Sequence, residues 1–430
     1  AYFEIRMNIA HFVQRYPPAL GGSEAYFARL SRYLAANGNH VTVFTTAAKD
    51  LEAFWSRQGV CLPSGVQVED GVEVRRYELA RWPGRRWALK ALSLLPHRLW
   101  QCLTLPCNPI AWQMWTDTRN STQTFDVVHA TAFPYAWPIA CGLRLARRHK
   151  IPFLLTPFLH LGDPENEKDR TRAGYTHPAL LSLIRAADRV FVQTELERLE
   201  LLRHGIHQDK LILLGMGVNP AECTGGDRET ARQRWGAQKG EVVIGHLANQ
   251  SREKGTVDLL QAAERLWKQR TRFRLVLAGP EMANFRSFCN SWRPSGPVTR
   301  LGEIDDRQKR DFFAGIDLFA LPSRSDSFGL VLLEAWANGI PNVAYRAGGV
   351  AEVIHHEQDG LLVRCGNIDE LATALAHLID DVSWRRSLGD CGRDRVAREF
   401  RWEDKLSRVW QAYQEVVDHK KPEPKRALVI

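Results

Sequence analysis

The stretch from Ser323 to Pro341, SRSDSFGLVLLEAWANGIP, holds two carboxylates eight positions apart, Asp326 in a loop-like segment and Glu334 in a helical one. A helix rises about 1.5 Å per residue, so with a start near Phe328 the second acid sits roughly 9 Å along it and the first lies before its first turn. The pair can therefore grip opposite ends of one extended ligand. Between them, the backbone N–H groups of Ser327, Phe328, Gly329 and Leu330 lie at a helix amino terminus, where unpaired donors and the helix dipole stabilise a pyrophosphate. Taken alone, Asp326 or Ser327 is a helix cap and Glu334 a solvated helical residue. The Phe-Gly step between them and the Asn338-Gly339-Ile340-Pro341 stop after them favour a binding element.

Such residues need a scaffold, and the hydrophobic periodicity supplies one. Residues 7–13 form a short apolar run, 23–36 carry apolar residues at helical spacing, and 41–46 are β-branched, which predicts a strand, loop, helix, strand unit. In its loop, Pro17-Pro18-Ala19-Leu20-Gly21-Gly22-Ser23-Glu24, the two glycines allow the backbone to approach a ligand at a helix start. Strand-like runs resume at 127–130, 151–156 and 190–193. After a glycine-bearing stretch at 224–227, read as an interdomain linker, a second series follows: 241–247, 254–269, 273–278, 316–321, 328–338 and 341–344. Strands alternating with helices imply parallel sheets covered on both faces, and two such halves imply twin nucleotide-binding-type domains with a ligand cleft between their carboxyl-edge loops.

Composition narrows the partners. At 430 residues the chain has room for two or three domains of about 100–200 residues each. No window approaches the ~18 consecutive apolar residues of a membrane span. The formal net charge of +9 points to anionic partners. Eight scattered cysteines include no C-x-x-C pair, which disfavours zinc and reads as buried thiols in a reducing cytosol. The first residues lack the pattern of a signal peptide, so a cytoplasmic location is expected. Residues 81–115 combine Trp82, Trp87, Trp100, Trp112 and Trp115 with Arg81, Arg85, Arg86, Lys90 and Arg98. That mixture suits either a helical insertion with packed tryptophans or a surface for a membrane or acceptor. Nucleic acid is disfavoured because no recognised binding motif accompanies the charge. The sequence 402–417 reads as an amphipathic helix, and the basic tail through Arg426 as a mobile end.

The segment carrying Asp326 and Glu334 resembles the donor-site signature of retaining glycosyltransferases of family 4, the nucleotide-sugar-dependent enzymes with two Rossmann-like domains (GT-B). The family reads E-x7-E followed by a small-Gly-x-Pro turn, and this chain has Asp326-x7-Glu334, one methylene shorter at the first acid. Ala347-Gly348-Gly349-Val350-Ala351-Glu352 and Asp359-Gly360-Leu361-Leu362-Val363 resemble the next landmarks, Gly21-Gly22-Ser23-Glu24 the glycine loop, and Gln193-Thr194-Glu195 with 215–219 the hinge region. Only about residues 50–125 match poorly.

The resemblance implies an α/β GT-B fold: an acceptor-side domain over 1–216, a donor domain over 217–400, and a segment 401–430 that returns to the first domain. It implies that Lys254, with Arg252, binds the donor diphosphate; the family's usual Arg is replaced here by Asn249. Fixed positive charge there would stabilise the leaving nucleoside diphosphate. It places Glu334 on ribose hydroxyls, Asp326 on sugar hydroxyls, backbone near Ile304 on the base, and Gly22 in the glycine loop. His160 is expected near the sugar's outer hydroxyls, with His129 as a competitor. The implied reaction moves a sugar, with retention, from a UDP- or GDP-sugar to a saccharide or lipid-linked acceptor, with no metal or other cofactor. Residues 81–115 would then hold a cytoplasmic chain at the inner face of the plasma membrane. A sugar-nucleotide epimerase, a phosphorylase on the same fold, and a non-catalytic nucleotide-sugar sensor remain open alternatives.

Overall fold

The computed structural model describes residues 6–95, 97–269 and 271–420. The basic tail beyond Lys420 lies outside them. In the first half, β1 (Asn8–Val13), β2 (His40–Thr46), β3 (Gly65–Glu69), β4 (Val72–Tyr77), β5 (Val127–Ala130), β6 (Phe153–Leu155), β7 (Arg189–Val192) and β8 (Leu211–Leu213) form one sheet in the order β3-β4-β2-β1-β5-β6-β7-β8. All pairs are parallel except the β3–β4 hairpin at the edge. The second half gives β9 (Val242–Leu247), β10 (Phe273–Ala278), β11 (Val298–Arg300), β12 (Leu318–Leu321), β13 (Asn342–Tyr345) and β14 (Gly360–Val363), all parallel, in the order β11-β10-β9-β12-β13-β14.

The inner strands are buried along almost their whole length because helices cover both faces of each sheet, and their sequences are accordingly continuous apolar runs. Strand order reverses between β1 and β5 in one sheet and between β9 and β12 in the other. Loops at the carboxyl ends of strands diverge at such points and leave a crevice. The glycine loop after β1, the turn bearing Lys254 after β9 and the loop bearing Asp326 after β12 all leave their sheets there.

The chain passes between the halves twice, and the two crossings hold each other: the Val218 N–H donates to the Phe400 carbonyl at 2.8 Å. Gly217 admits this closeness, since a Cβ on it would stand 2.8 Å from the Trp402 ring. The helix Trp402–Lys420 then lays Leu406, Val409, Tyr413, Val416 and Val417 inward, at helical spacing. Tyr413 reaches the heart of the first sheet. Its hydroxyl bonds His11 Nε2 at 3.0 Å and His129 Nδ1 at 2.6 Å, while His11 Nδ1 meets Ser31 Oγ and His129 Nε2 meets Thr156 Oγ1. Because Ser31 Oγ already donates to the Phe27 carbonyl, the proton order follows. His11 Nδ1–H donates to Ser31, the Tyr413 O–H to His11, His129 Nδ1–H to Tyr413, and the Thr156 O–H to His129. His129 is thus consumed in the core and is no rival to His160.

Both imidazoles in this chain are neutral. Burial takes His11 from the ordinary 6.5 to about 3, and burial with the neighbouring His11 takes His129 well below 6.5. Unfolding lets them take up protons once the pH drops under 6.5, so the folded state loses stability from 6.5 down towards about 3. Tyr413→Phe leaves two buried imidazole nitrogens without their partner and should lower unfolding free energy by about 1–3 kcal/mol. Urea denaturation at a series of pH values checks both expectations.

Candidate functional site

The loop that carries Asp326 is pressed between backbones that tolerate no side chain. Gly255 has φ +72, and a Cβ on it would stand 1.7 Å from the Pro322 carbonyl oxygen. On the other side, Cβ atoms on Gly348 and Gly349 would stand 2.4 Å and 1.9 Å from the carbonyl oxygens of Asp326 and Ser327. The Gly349 N–H donates to Asp326 O and the Arg324 N–H to Glu253 O. His246 fixes the strand beneath, with Nδ1 on the Ala320 carbonyl and Nε2 on Thr256 Oγ1.

This packing sets the Lys254 ammonium 2.6 Å from the Asp326 carboxylate. Burial works to raise the Asp326 pKa, but Lys254, His160 and the Phe328 backbone N–H outweigh it, and the acid is held below the ordinary carboxylate value. The Phe328 amide therefore already serves Asp326. The helix is also shorter than its sequence implies. It spans Leu330–Ala337, because Gly329 adopts φ +86 and starts it there. Among the described residues, the amides of Gly329, Leu330 and Val331 donate to no protein group. Phe328 itself turns its ring inward against Phe400.

His160 arrives from the first half, on the loop after β6. Its ring stacks on Tyr175 at 4.9 Å between centroids. Burial pulls its pKa down to about 4, against the opposing pull of Asp326; Lys254 lowers it further and the Ser325 backbone raises it. Beneath that loop the buried carboxylate of Glu197 accepts from the N–H groups of Leu159 and Gln193, at 2.9 Å and 2.6 Å. Burial pushes Glu197 up to about 7. From the second half, Gly348 N–H donates to the Gly162 carbonyl, and Glu352 accepts from the amides of Glu195 and Leu196 at 2.7 Å and 2.8 Å. Glu352 thereby caps the helix Glu195–Arg203 of the opposite domain.

Beside this group a cleft of 880 Å³ opens between the halves, lined among others by Gly21, Arg29, Lys309, Arg310, Leu330 and Glu334. Gly22 does not line it but packs beside Leu330, a Cβ there standing 3.8 Å from Leu330 Cδ1. The glycine loop is anchored by buried Glu24, which pairs with Arg15 at 2.7 Å and accepts from Ser23 and Gln14. Glu334 pairs with Lys309 at 2.8 Å. Burial opposes the charge on Lys309, yet Glu334 keeps its pKa above the ordinary value.

Structure thus gathers Asp326, Lys254 and His160 into one cluster and sets Leu330 and Glu334 on the cleft, with Gly22 packed against Leu330. Ser327, Phe328 and Gly329 lie between. Arg252 is exposed on the turn before Lys254; its carbonyl accepts from the Gly255 N–H at 3.0 Å, and its side chain makes no hydrogen bond or ion pair among the described residues. Ile304 is half-buried in the loop before the helix Asp306–Gly315, against the core, and does not line the cleft. Lys309, Tyr175 and Glu197 carry no local signal in the sequence, because each is defined by a partner on another element. Among the described residues no group of three or more His, Cys, Asp or Glu side chains could hold a metal ion, and no helix is long and apolar enough to cross a membrane.

Two doubly wound parallel-sheet domains with a cleft between their carboxyl edges define the GT-B class of transferase. Residues 21–217 match the family described as glycosyl transferase 4-like domain and residues 227–395 that described as glycosyl transferases group 1. The chain belongs to these group 1, family 4 glycosyltransferases and is a transferase enzyme. It is 26% identical over 413 residues to the D-inositol 3-phosphate glycosyltransferase of Pseudarthrobacter chlorophenolicus, covering 93% of this chain and 91% of that one. It is 31% identical over 192 residues to the N-acetyl-alpha-D-glucosaminyl L-malate synthase of Bacillus anthracis, 44% of this chain and 50% of that one. Among solved structures it resembles sucrose-phosphate synthase from Thermosynechococcus elongatus, with a TM-score of 0.72, 22% identity, and coverage of 96% of this chain and 100% of that one. Anabaena HepE in complex with UDP-glucose superposes with a TM-score of 0.69 at 17% identity, covering 96% and 100%.

The electrostatic cluster is open to direct measurement. Asp326→Asn removes a charge that favours imidazolium and should move the His160 titration below about 4, whereas Lys254→Met should move it upward. Imidazole NMR shifts against pH read both changes.

Proposed function

We propose that the chain transfers a sugar, with retention of anomeric configuration, from a nucleotide-sugar donor to an acceptor hydroxyl, and needs no metal ion to do so. The observation that carries this reading is the 2.6 Å pair of Lys254 and Asp326 beside the head of the Leu330–Ala337 helix. Without a ligand the two charges satisfy each other. A donor diphosphate supplies a competing anion for Lys254, and the unpaired amides at 329–331 supply further donors, so negative charge arising on the leaving group meets fixed positive charge. Arg252, exposed two residues away, is within the same turn and serves as the second cation.

Released from Lys254, Asp326 accepts from sugar hydroxyls. Glu334 accepts from the ribose hydroxyls, with Lys309 as its ion-pair partner. Backbone near Ile304 meets the base, and Gly22 lets the first domain close over the sugar. His160, neutral at pH 7, turns one ring nitrogen to the Ser325 carbonyl and offers the other to a sugar hydroxyl. The roles divide by domain: 217–400 binds the donor, while 1–216 with the returning 401–430 receives the acceptor.

A UDP-sugar is favoured over a GDP-sugar by the UDP-glucose complex of HepE. The acceptor is a saccharide or lipid-linked glycan, and the setting polysaccharide or glycolipid assembly at the inner face of the plasma membrane. Exposed Trp87, Leu94 and Leu95 near Arg98 support that placement, being apolar groups beside positive charge.

Release of nucleoside diphosphate from a panel of UDP- and GDP-sugars, with and without EDTA and with saccharide and lipid-linked acceptors, tests the reading, and NMR of the product reports the anomer. Glu334→Ala and Lys254→Ala should each lower turnover by about tenfold or more without loss of fold. Full activity in both variants would overturn the site. Donor conversion without any acceptor would point instead to an epimerase.

A further inference from the structure

Outside the interdomain cleft, a shallow pocket of 370 Å³ opens between the segment at Trp55–Arg57 and the start of the helix Arg85–Leu92. Its walls include Arg57, Arg81, Arg85 and Arg86 with Trp55 and Trp82. From residue 79 to residue 116 the sequence has no Asp or Glu. Arg86 lies over the Trp55 ring at 5.6 Å and Arg85 over Trp82 at 5.9 Å, which orders the cations without neutralising them.

Arg85 is the unusual member. It is only 2% exposed, and one donor, Nη1, reaches the Asn108 carbonyl at 2.8 Å. Its Nε and Nη2 are buried with no hydrogen-bond partner among the described residues. No carboxylate among the described residues offsets the burial, which draws its pKa from 12.5 down to about 10; Cys107 pulls it up and the charged neighbour Arg86 lowers it further. A buried guanidinium with spare donors is strongly disfavoured unless an anion completes it. Its planar fork matches two oxygens of a phosphate, and the helix start adds positive potential.

We infer that this pocket binds the phosphate group of a phosphorylated ligand, with Arg85 at its base, Arg57, Arg81 and Arg86 around it, and the tryptophan faces against the ligand's carbon skeleton. The site shares no lining residue with the interdomain cleft. It goes beyond the transfer reading and holds whether or not that reading does, since binding alone tests it.

The ligand's phosphate could belong to a soluble compound or to a lipid headgroup, so two probes are needed. Calorimetric titration of the full chain with glycerol phosphate reads the first, and flotation with phosphatidylcholine vesicles, plain or doped with phosphatidic acid, reads the second. Wild-type protein should bind at least one probe saturably. Arg85→Met should weaken that binding by about tenfold or more, the loss of charge-assisted hydrogen bonds. The double variant Arg57→Gln/Arg86→Gln, altered only at exposed positions, should do the same if Arg85→Met does not fold. Lys90→Gln/Arg98→Gln, outside the pocket but with the same loss of charge, should leave glycerol phosphate binding intact. Binding of neither probe, or equal loss in the pocket and control variants, would overturn the site.

Discussion

A single salt bridge, Lys254 to Asp326, ties together the two loops that leave the second sheet where its strand order reverses. The oppositely charged ends come from residues 72 positions apart, and what brings them together is backbone contact. Gly255 lies on Pro322, and Gly348 with Gly349 lies on Asp326 and Ser327, at separations that any Cβ would violate. Side chains at these positions would lift the loop and part the charges. The acid is strongly desolvated, so its charge depends on Lys254, His160 and a backbone amide together. Asp326 and Lys254 in turn act in opposite directions on His160.

That cluster spans two domains, which makes the seam between them part of the site. Glu352 of the second domain caps a helix of the first, Gly348 reaches the Gly162 carbonyl on the loop that carries His160, and Tyr413 of the last helix joins a hydrogen-bonded chain through the first sheet. Each of these bonds lies across an element boundary and satisfies a group that would otherwise be buried unpaired or left at a helix end. They hold the Lys254–Asp326 pair and the His160 imidazole in one arrangement. The glycosyltransferase fold is shared with relatives of low identity because the scaffold needs only parallel sheets and switch points. Loop chemistry is where this chain becomes particular.

Much of the scaffold was legible because it is written locally. Continuous apolar runs between helical patterns gave the strands, and the glycines at 21 and 22 marked the loop after the first strand, whereas the close approaches at 255, 348 and 349 appear only in the packed structure. Helix limits were less legible. The start at Leu330 rather than near Phe328 follows from the left-handed Gly329 and from the demand of the Asp326 carboxylate on the Phe328 amide. His129 looked equivalent to His160 in the sequence, each standing at or just after a strand. Only the hydroxyls of Tyr413 and Thr156, from 284 and 27 positions away, show that His129 is a core residue.

By itself the sequence determined the class of the fold, the alternation of strands and helices outside residues 50–125 and the residue types at the switch-point loops, since periodicity, turn chemistry and the spacing of Asp326 and Glu334 are short-range properties, while the strands at 65–77, 298–300 and 360–363 appeared only in the structure. Tertiary structure decided which charges meet. Lys254 rather than solvent holds Asp326, Lys309 holds Glu334, Tyr175 covers His160, and Arg85 is buried with donors to spare. The physical reason is that electrostatic and hydrogen-bond energies depend on distance and solvent exposure, and both are set by contacts between segments remote in the chain.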